Sequence, residues 1–260
     1  MTTETVPLQK LLQRLGHGSR STVRRWVETG RVRVDGQVVT RFAEPIAGGA
    51  QLMLDDLLLG GAAPRTVLLM NKPKKHVTAR EDDFGRDALS SYLPEGSPYL
   101  FPVGRLDYNS EGALLWTNDG GLARRVLHPQ WALPKVYGVK IRGHLFDDHP
   151  ALERMRDGMS VDGEAFLPVP TRIVALRTRA TWVEMTLHEG KSRQIRRMCR
   201  ATGLQIVKLR RLAIGPVELG TLNPRCVRAL SPDELLALDR CLGLEAGDSA
   251  ADEEPPPPAG

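Results

Sequence analysis

Apolar residues near the start of the chain recur at helical spacing. Intervals of three and four residues predict a first helix, and the leucines that form this pattern are Leu8, Leu11, Leu12 and Leu15. A second helix is predicted over 22–29, with Ser21 as its N-cap and Gly30 just past its end. The two segments are expected to form a helix pair.

An alternating pattern follows the helix pair. Residues 31–34 and 37–40 lie on either side of Asp35-Gly36, a dipeptide typical of a hairpin turn. The helix pair and the hairpin together predict a small N-terminal domain over 5–60. The Gly-, Ala- and Pro-rich stretch 60–64 is typical of a linker.

From residue 65 the pattern changes to short apolar runs separated by turn residues. Five runs are predicted to be strands, at 67–70, 113–116, 136–141, 172–176 and 182–187. Helices are predicted at 121–127, 150–157, 193–202 and 232–242, the last opened by a capping box of Ser231 and Glu234. Strands with helices packed on them predict an α+β domain over 65–242, built on a largely antiparallel mixed sheet.

Composition narrows the class of protein. With 41% hydrophobic and 26% charged residues, the chain is typical of a soluble globular protein. No stretch approaches the roughly 18 consecutive apolar residues that span a bilayer, so we expect a cytoplasmic protein with no membrane partner. The three cysteines are widely spaced and the histidines show no ligand pattern, which predicts that no metal is bound.

The formal net charge of +5 conceals an acidic C-terminal segment. Residues 245–260 hold five acids and no Lys or Arg, and their prolines favour an extended, disordered tail. The remainder of the chain therefore carries +10. An excess of this size indicates a polyanionic partner.

Basic residues are concentrated in two places. The first group lies in and around the second helix and the first hairpin strand, and consists of Arg20, Arg24, Arg25 and Arg31. RNA phosphates are a suitable partner for these arginines, although a solvated helix face is the ordinary alternative. The stretch 191–211 has eight basic residues and no acid. On a helix over 193–202, one face would hold Arg193, Arg196, Arg197 and Arg200. This pattern predicts a single positive ridge and favours nucleic acid as the partner.

Asp107 is the candidate reactive group. It lies in VGRLDYNSEG, between an apolar segment and the strand at 113–116, which places a carboxylate on a loop at a strand end. An arginine beside it would keep the carboxylate ionised and therefore nucleophilic. For the tripeptide RLD alone, a turn-capping or ion-paired aspartate is the more ordinary interpretation.

Four motifs in a fixed order resemble those of the ribosomal RNA pseudouridine synthases. They are GRLDYNSEGALLWTNDG (104–120), HPQWALPKVYGVKIRG (128–143), EGKSRQIRRM (189–198) and LRRLAIGPVELG (209–220). The resemblance extends over 67–238 and is closest to the B-type synthases of the large ribosomal subunit. Residues 8–39 are similar to the small RNA-binding domain named after ribosomal protein S-four, which commonly precedes these enzymes.

The resemblance implies conversion of a specific uridine of ribosomal RNA to pseudouridine without a cofactor. It implies that Asp107 is the catalytic aspartate, that Arg196 is its basic partner, and that Tyr137 stacks on the target base. It also implies RNA-binding roles, in which Arg105 fills the place of the flipped base, phosphate and pocket contacts come from Lys191, Arg193 and Gln194, and Leu209 lines the pocket. By their local sequence alone, Tyr137 and Leu209 also fit ordinary packing positions.

The resemblance favours 23S ribosomal RNA or an assembling large subunit as the partner, and 16S ribosomal RNA is the alternative. A non-enzymatic RNA-binding or ribosome-assembly protein is a second alternative. A DNA-binding regulator is disfavoured, because the predicted helix pair lacks the usual helix-turn-helix continuation. We expect a monomer, since no coiled-coil pattern is present.

Overall fold

In a computed structural model, the chain is described over residues 5–14, 20–47, 49–60, 63–78 and 88–244. It divides into two compact units, Met1–Thr66 with Glu95–Leu100 and Val67–Pro94 with Phe101–Gly260. The predictions for Leu15, for the helix break at 16–19 and for the tail 245–260 lie outside the described residues. Among the described residues, none of the helices combines the length and apolar character that a membrane crossing requires.

The first unit contains the predicted helix pair and hairpin together with further strands. In chain order its elements are β1 (Thr5–Pro7), α1 (Leu8–Arg14), α2 (Arg20–Glu28), β2 (Val32–Val34), β3 (Gln37–Val38), β4 (Pro45–Ala47), β5 (Leu52–Leu54) and β6 (Leu57–Leu58). Strands β3, β2, β5 and β6 form one antiparallel sheet, and β1 pairs with β4. The helices pack through residues spaced four apart, including Leu8 with Leu12 and Val23 with Val27.

Two local predictions for this unit have clear outcomes. The Asp35-Gly36 turn is confirmed, with positive φ at both residues. The assignment of Ser21 as an N-cap is wrong, because helical residues already begin at Arg20. The β5–β6 hairpin escaped prediction because its turn is Asp55-Asp56, and two adjacent non-glycine residues with positive φ are uncommon.

The second unit is built on one large sheet. In chain order its elements are β7 (Val67–Lys72), β8 (Phe101–Pro102), β9 (Glu111–Thr117), α3 (Gly120–Leu127), β10 (Lys135–Arg142), α4 (Pro150–Arg156), β11 (Met159–Val161), β12 (Glu164–Phe166), β13 (Thr171–Arg177), β14 (Ala180–Leu187), α5 (Gln194–Ala201), β15 (Ile206–Ile214), β16 (Val217–Glu218), β17 (Val227–Ala229) and α6 (Pro232–Cys241). Short 3-10 helices lie at Leu89–Tyr92 and Pro129–Trp131. The capping box of Ser231 and Glu234 is present at the start of α6.

The strand order in this sheet is β13-β14-β10-β15-β9-β7-β17, with β16 attached to β15 and β8 to β9. Strands β9 and β15 run parallel, and the other paired strands of the sheet run antiparallel. The predicted α+β fold on a largely antiparallel mixed sheet is therefore confirmed.

Two separate apolar cores lie along this sheet. One joins α4 and α5 to strands β10, β14 and β15, through residues such as Val139, Val183 and Met198. The other joins α3 and α6 to strands β7 and β9, through residues such as Leu69, Leu115 and Leu238. The two halves of the sheet meet where β9 contacts β15.

Gly112 permits the close approach of these two strands. It pairs with Arg211 across the parallel contact and has a φ of +110°. A Cβ atom at this position would lie 2.1 Å from the carbonyl oxygen of Arg211. The Cβ would be fixed to the backbone of β9 and the oxygen belongs to the backbone of β15, so neither atom can move aside without disturbing the paired strands.

We therefore expect Gly112→Ala to destabilise the protein strongly. The clash and the positive φ should together lower the free energy of unfolding by about 3 kcal/mol or more. Gly120, the first residue of α3, has open space around its Cα, so Gly120→Ala should change stability by less than about 1 kcal/mol. Urea denaturation of both variants measures the difference, and equal stability of the two would contradict the proposed close approach.

Candidate active site

A pocket of about 190 Å³ opens beside the junction of the two half-sheets. One wall is the loop between β8 and β9, which carries Asp107 as the sequence predicted. Further lining residues come from β10, from β15 and from the start of α5. The pocket is lined by all eight site residues predicted in this unit, namely Arg105, Asp107, Tyr137, Lys191, Arg193, Gln194, Arg196 and Leu209.

Asp107 is paired with Arg196 at the pocket wall. Arg196 Nε donates to Asp107 Oδ2 at 3.2 Å, and its Nη2 donates to Ser110 Oγ at 3.1 Å. Side-chain exposures of 34% for Asp107 and 22% for Arg196 leave both groups accessible to a small ligand. Among the described residues, no donor to Asp107 Oδ1 is found, so that oxygen is free to act on a substrate.

A buried lysine supports the loop that carries Asp107. Lys72 lies at the end of β7, is fully buried, and uses its ammonium group to hold three carbonyl oxygens. These are the oxygens of Pro73 at 3.0 Å, Asp107 at 3.1 Å and Ser110 at 2.9 Å. The Thr78 hydroxyl donates to the carbonyl oxygen of Leu106 and accepts a hydrogen bond from the Leu106 amide. The carboxylate is therefore presented by a firmly held backbone.

Tyr137 and Leu209 line the same pocket as Asp107, from strands β10 and β15. Tyr137 pairs in register with Arg211 on β15, so the two side chains share the face that lines the pocket. Leu209 is buried and belongs both to the adjacent core and to the pocket lining. The packing interpretation and the pocket interpretation of Leu209 are thus compatible.

The residues of the EGKSRQ segment differ in their surroundings. Arg193 is exposed and immediately precedes α5, with a left-handed backbone conformation. Gln194 is buried and donates to Glu189 Oε1 at 2.7 Å, while its own Oε1 has no hydrogen-bond partner. Lys191 donates to the carbonyl oxygen of Ala165 and lies 3.4 Å from Glu189. Arg193 is consequently more available to a phosphate than Lys191.

The predicted positive ridge on α5 is wrong in one respect, because tertiary contacts neutralise part of it. The hairpin formed by β11 and β12 brings Asp162 and Glu164 against the helix. Arg197 donates to Glu164 and to the carbonyl oxygen of Val161, and Arg200 lies 3.4 Å from Asp162. The stretch 191–211 contains no acid, so its own sequence could not reveal these partners.

The predicted RNA-binding arginines of the first unit are also partly neutralised. Arg24 donates to Glu28 at 2.8 Å, and Arg31 donates to Asp55 at 2.8 Å. Arg25 is exposed, and no carboxylate partner of it is found among the described residues. Arg20 begins α2, but its side chain lies outside the described part.

The sequence analysis gave no site role to two pocket cations, Lys135 and Arg211, although it counted Arg211 within the basic stretch 191–211. Lys135 lies two residues before Tyr137 on β10, and burial beside Arg211 lowers the pKa of Lys135 to about 8. Arg211 is 5% exposed and donates through Nε to the carbonyl oxygen of Ala113 at 2.6 Å, whereas its Nη2 has no partner. Alternation along β10 would have placed Lys135 beside Tyr137.

A carboxylate within a cationic pocket, on a mixed sheet preceded by a separate basic unit, defines an enzyme that acts on a polyanion. The RNA pseudouridylate synthase family matches residues 66–201, and the S4 domain matches residues 6–52. The chain belongs to the RNA pseudouridylate synthase family. The protein is accordingly a pseudouridine synthase that acts on RNA.

Relatives agree with this assignment. A protein of Aquifex aeolicus named as an uncharacterized RNA pseudouridine synthase is 35% identical over 92% of this chain and 96% of its own length. The ribosomal large subunit pseudouridine synthase B of Bacillus subtilis is 30% identical over 89% of this chain and 94% of its own. The crystal structure of a pseudouridylate synthase has the same fold, with a TM-score of 0.63 at 24% identity over 90% of this chain and 99% of that one.

We predict that Lys72 makes stability depend on pH. Burial lowers its pKa from 10.5 to about 8, against the opposing effects of Asp107 and Glu111. The folded protein therefore loses this proton near pH 8, while the unfolded chain keeps it to about pH 10.5. Between these values the unfolded chain binds more protons, so the free energy of unfolding should gain up to about 1.4 kcal/mol per pH unit from Lys72.

The comparison with Lys72→Met isolates this contribution. Lys135 is present in both proteins, so its effect cancels. In urea denaturation across the same pH range, the free energy of unfolding of wild type should rise with pH relative to that of the variant. Parallel curves for the two proteins would contradict the assigned effect of burial.

Proposed function

We propose that this enzyme converts one uridine of large-subunit (23S) ribosomal RNA to pseudouridine, with Asp107 as the catalytic aspartate. The observation that carries the catalytic assignment is the contact of Asp107 with Arg196 in an open pocket that Tyr137 also lines. The name of the Bacillus subtilis relative supports the large subunit. A ribosomal RNA substrate also supports a cytoplasmic location, and we propose a monomer.

The reaction requires groups that orient a nucleotide and move a proton. The bond between ribose C1′ and uracil N1 breaks, the uracil turns, and C1′ then bonds to C5. The proton on C5 leaves and N1 gains one, so no oxidant or reductant is consumed. Three routes are compatible with a free Asp107 oxygen, namely addition to C1′, addition to the base, and removal of a ribose proton to form a glycal.

Arg196 and Tyr137 have complementary roles in this proposal. The charged hydrogen bond from Arg196 orients one oxygen of Asp107 and leaves the other free. Tyr137 offers an aromatic face on which uracil stacks, and it assists removal of the C5 proton. Leu209 forms an apolar contact beside the stacked base.

The remaining pocket residues bind the flipped nucleotide and its flanking phosphates. A base inside folded RNA must leave its stack at a cost of a few kcal/mol, and a planar guanidinium that fills the vacancy offsets part of this cost. Arg105 suits that role because it is exposed at the pocket rim. Arg193 binds a phosphate. Lys191 and Gln194 both contact the carboxylate of Glu189, and these contacts hold the pocket wall in place. Arg20, Arg24, Arg25 and Arg31 add contacts from the first unit.

The alternatives differ in their support. A small-subunit 16S target requires the same pocket and differs only in the RNA recognised, so it is the second candidate. A non-enzymatic ribosome-assembly protein needs no carboxylate in a positive pocket. The open cavity beside Asp107 therefore argues against that alternative.

Asp107→Asn should abolish activity while the protein still folds and binds RNA. The amide keeps the size of the side chain but cannot act as a nucleophile or base, so turnover should fall at least about 1,000-fold. Asp148→Asn removes an exposed carboxylate elsewhere and should leave turnover unchanged. Tritium release from C5-labelled uridine in ribosomal RNA measures both variants. Near-wild-type turnover of Asp107→Asn would refute the assignment of this aspartate.

Deletion of the gene should remove one pseudouridine from 23S ribosomal RNA. Chemical mapping of pseudouridine on both ribosomal RNAs, with and without the gene, measures this directly. Restoration by wild type but not by Asp107→Asn would assign the missing site to this enzyme. Loss confined to 16S ribosomal RNA would replace the large-subunit proposal with the small-subunit one.

A further inference from the structure

A second basic concavity lies at the opposite end of β10 from the catalytic pocket. This groove has a volume of about 700 Å³, and its lining includes Lys140, Arg142, Arg177 and Arg179. None of its lining residues is acidic. Within the part of the chain that the structure describes, none of these four cations is ion-paired, in contrast to Arg196, Arg197 and Arg200.

The strand register explains why the groove is concave and basic. Ala180 on β14 pairs with Arg142 on one side and with Arg177 on the other. The three side chains therefore share one face of the sheet, and the small alanine forms the floor between two arginines. Two strand spacings separate Arg142 from Arg177 by about 10 Å at Cα, so both guanidinium groups can reach one phosphate or two neighbouring ones.

The backbone around the groove is held independently of these charged side chains. His144 Nε2 lies 3.0 Å from the carbonyl oxygen of Arg177 and 3.1 Å from that of Thr178, which pins the turn between β13 and β14. The Gly143 amide donates to the carbonyl oxygen of Arg179 at 3.0 Å. The arginine side chains can therefore be replaced without removing the hydrogen bonds that shape the turn.

The groove and the catalytic pocket lie on opposite faces of the sheet. Arg142 follows Tyr137 on β10 by an odd number of positions, so the two side chains point to opposite faces. Arg193 and Arg196 line both the pocket and a shallow hollow of about 350 Å³, which continues past Arg200 to Gln205 and Ile206. The next residue, Val207, lines the groove, and the Arg142 amide donates to the carbonyl oxygen of Gln205. Along β10, Arg142 lies about 17 Å from Tyr137, so RNA that reaches both places passes around the end of the sheet.

We propose that this groove binds the phosphodiester backbone of RNA that flanks the target nucleotide, as a second anchoring site on the catalytic unit. The proposal rests on the RNA-modifying function above. RNA is favoured over an anionic membrane because the groove is concave and the enzyme acts on RNA, itself a polyanion. A long substrate is then held at two places, while a short stem-loop reaches only the pocket.

The test compares two pairs of neutralised arginines in the full-length protein. Arg177→Gln with Arg179→Gln removes two charges from the groove. Arg154→Gln with Arg240→Gln removes two exposed charges from helix ends outside the groove and the pocket. The probes are an RNA duplex of about 30 base pairs, titrated over a range of salt, and a short stem-loop substrate for turnover.

The groove variant should bind the duplex about tenfold more weakly, and its salt slope should be smaller by about 2 because two phosphate contacts are lost. The helix variant should keep the wild-type slope, and both variants should turn over the short stem-loop at the wild-type rate. Arg177→Lys with Arg179→Lys should restore most of the slope, since the charges are retained.

Three results would overturn the proposal. The first is a groove variant whose salt slope equals that of wild type. The second is slower turnover of the short stem-loop, which would indicate structural damage rather than loss of a separate anchor. The third is unchanged duplex binding with reduced binding to phosphatidylglycerol vesicles. The duplex carries no ribosomal sequence, so an error in the proposed ribosomal target would leave this test unaffected.

Discussion

The candidate active site depends on a short parallel contact between β9 and β15. This contact joins two half-sheets, each with its own apolar core. Asp107 is carried by one half and Tyr137 by the other, so their separation is set by how closely the backbones approach at Gly112. A residue without Cβ is required there because the facing atoms are the backbone of Arg211.

Positive charge is distributed unevenly over the catalytic unit. Lys72 is fully enclosed by carbonyl oxygens and supports the loop from within. Arg197 and Arg200 face carboxylates of the β11–β12 hairpin and stabilise the protein's own structure. The cations that lack carboxylate partners among the described residues include Arg193 and Arg105 at the pocket and the four cations of the groove. Charge density along the sequence is therefore a poor measure of charge offered to RNA.

Periodicity predicted most of the regular elements but missed those with unusual turns or charged strands. The strand at 206–214 has the alternation of a strand, yet Lys208, Arg210 and Arg211 mask its apolar positions. The β11–β12 hairpin carries an Asp162-Gly163 turn, a signal that would have revealed it. For the site, the ordered motifs predicted eight residues of the catalytic unit, and all eight line one pocket. Lys135 and Arg211 received no predicted role, because in each motif the role was given to a nearby residue, Tyr137 in 128–143 and Leu209 in 209–220.

The sequence by itself determined the class of fold and the order of the motifs, and it supplied the candidates for the chemically reactive residues, because periodicity and residue type are local properties. Only the tertiary structure decided which charges are cancelled. Arg196 reaches Asp107 across 89 positions in sequence, and Glu164 reaches Arg197 across 33. Such pairs arise when strands from distant parts of the chain become neighbours, and local pattern contains no information about that neighbourhood.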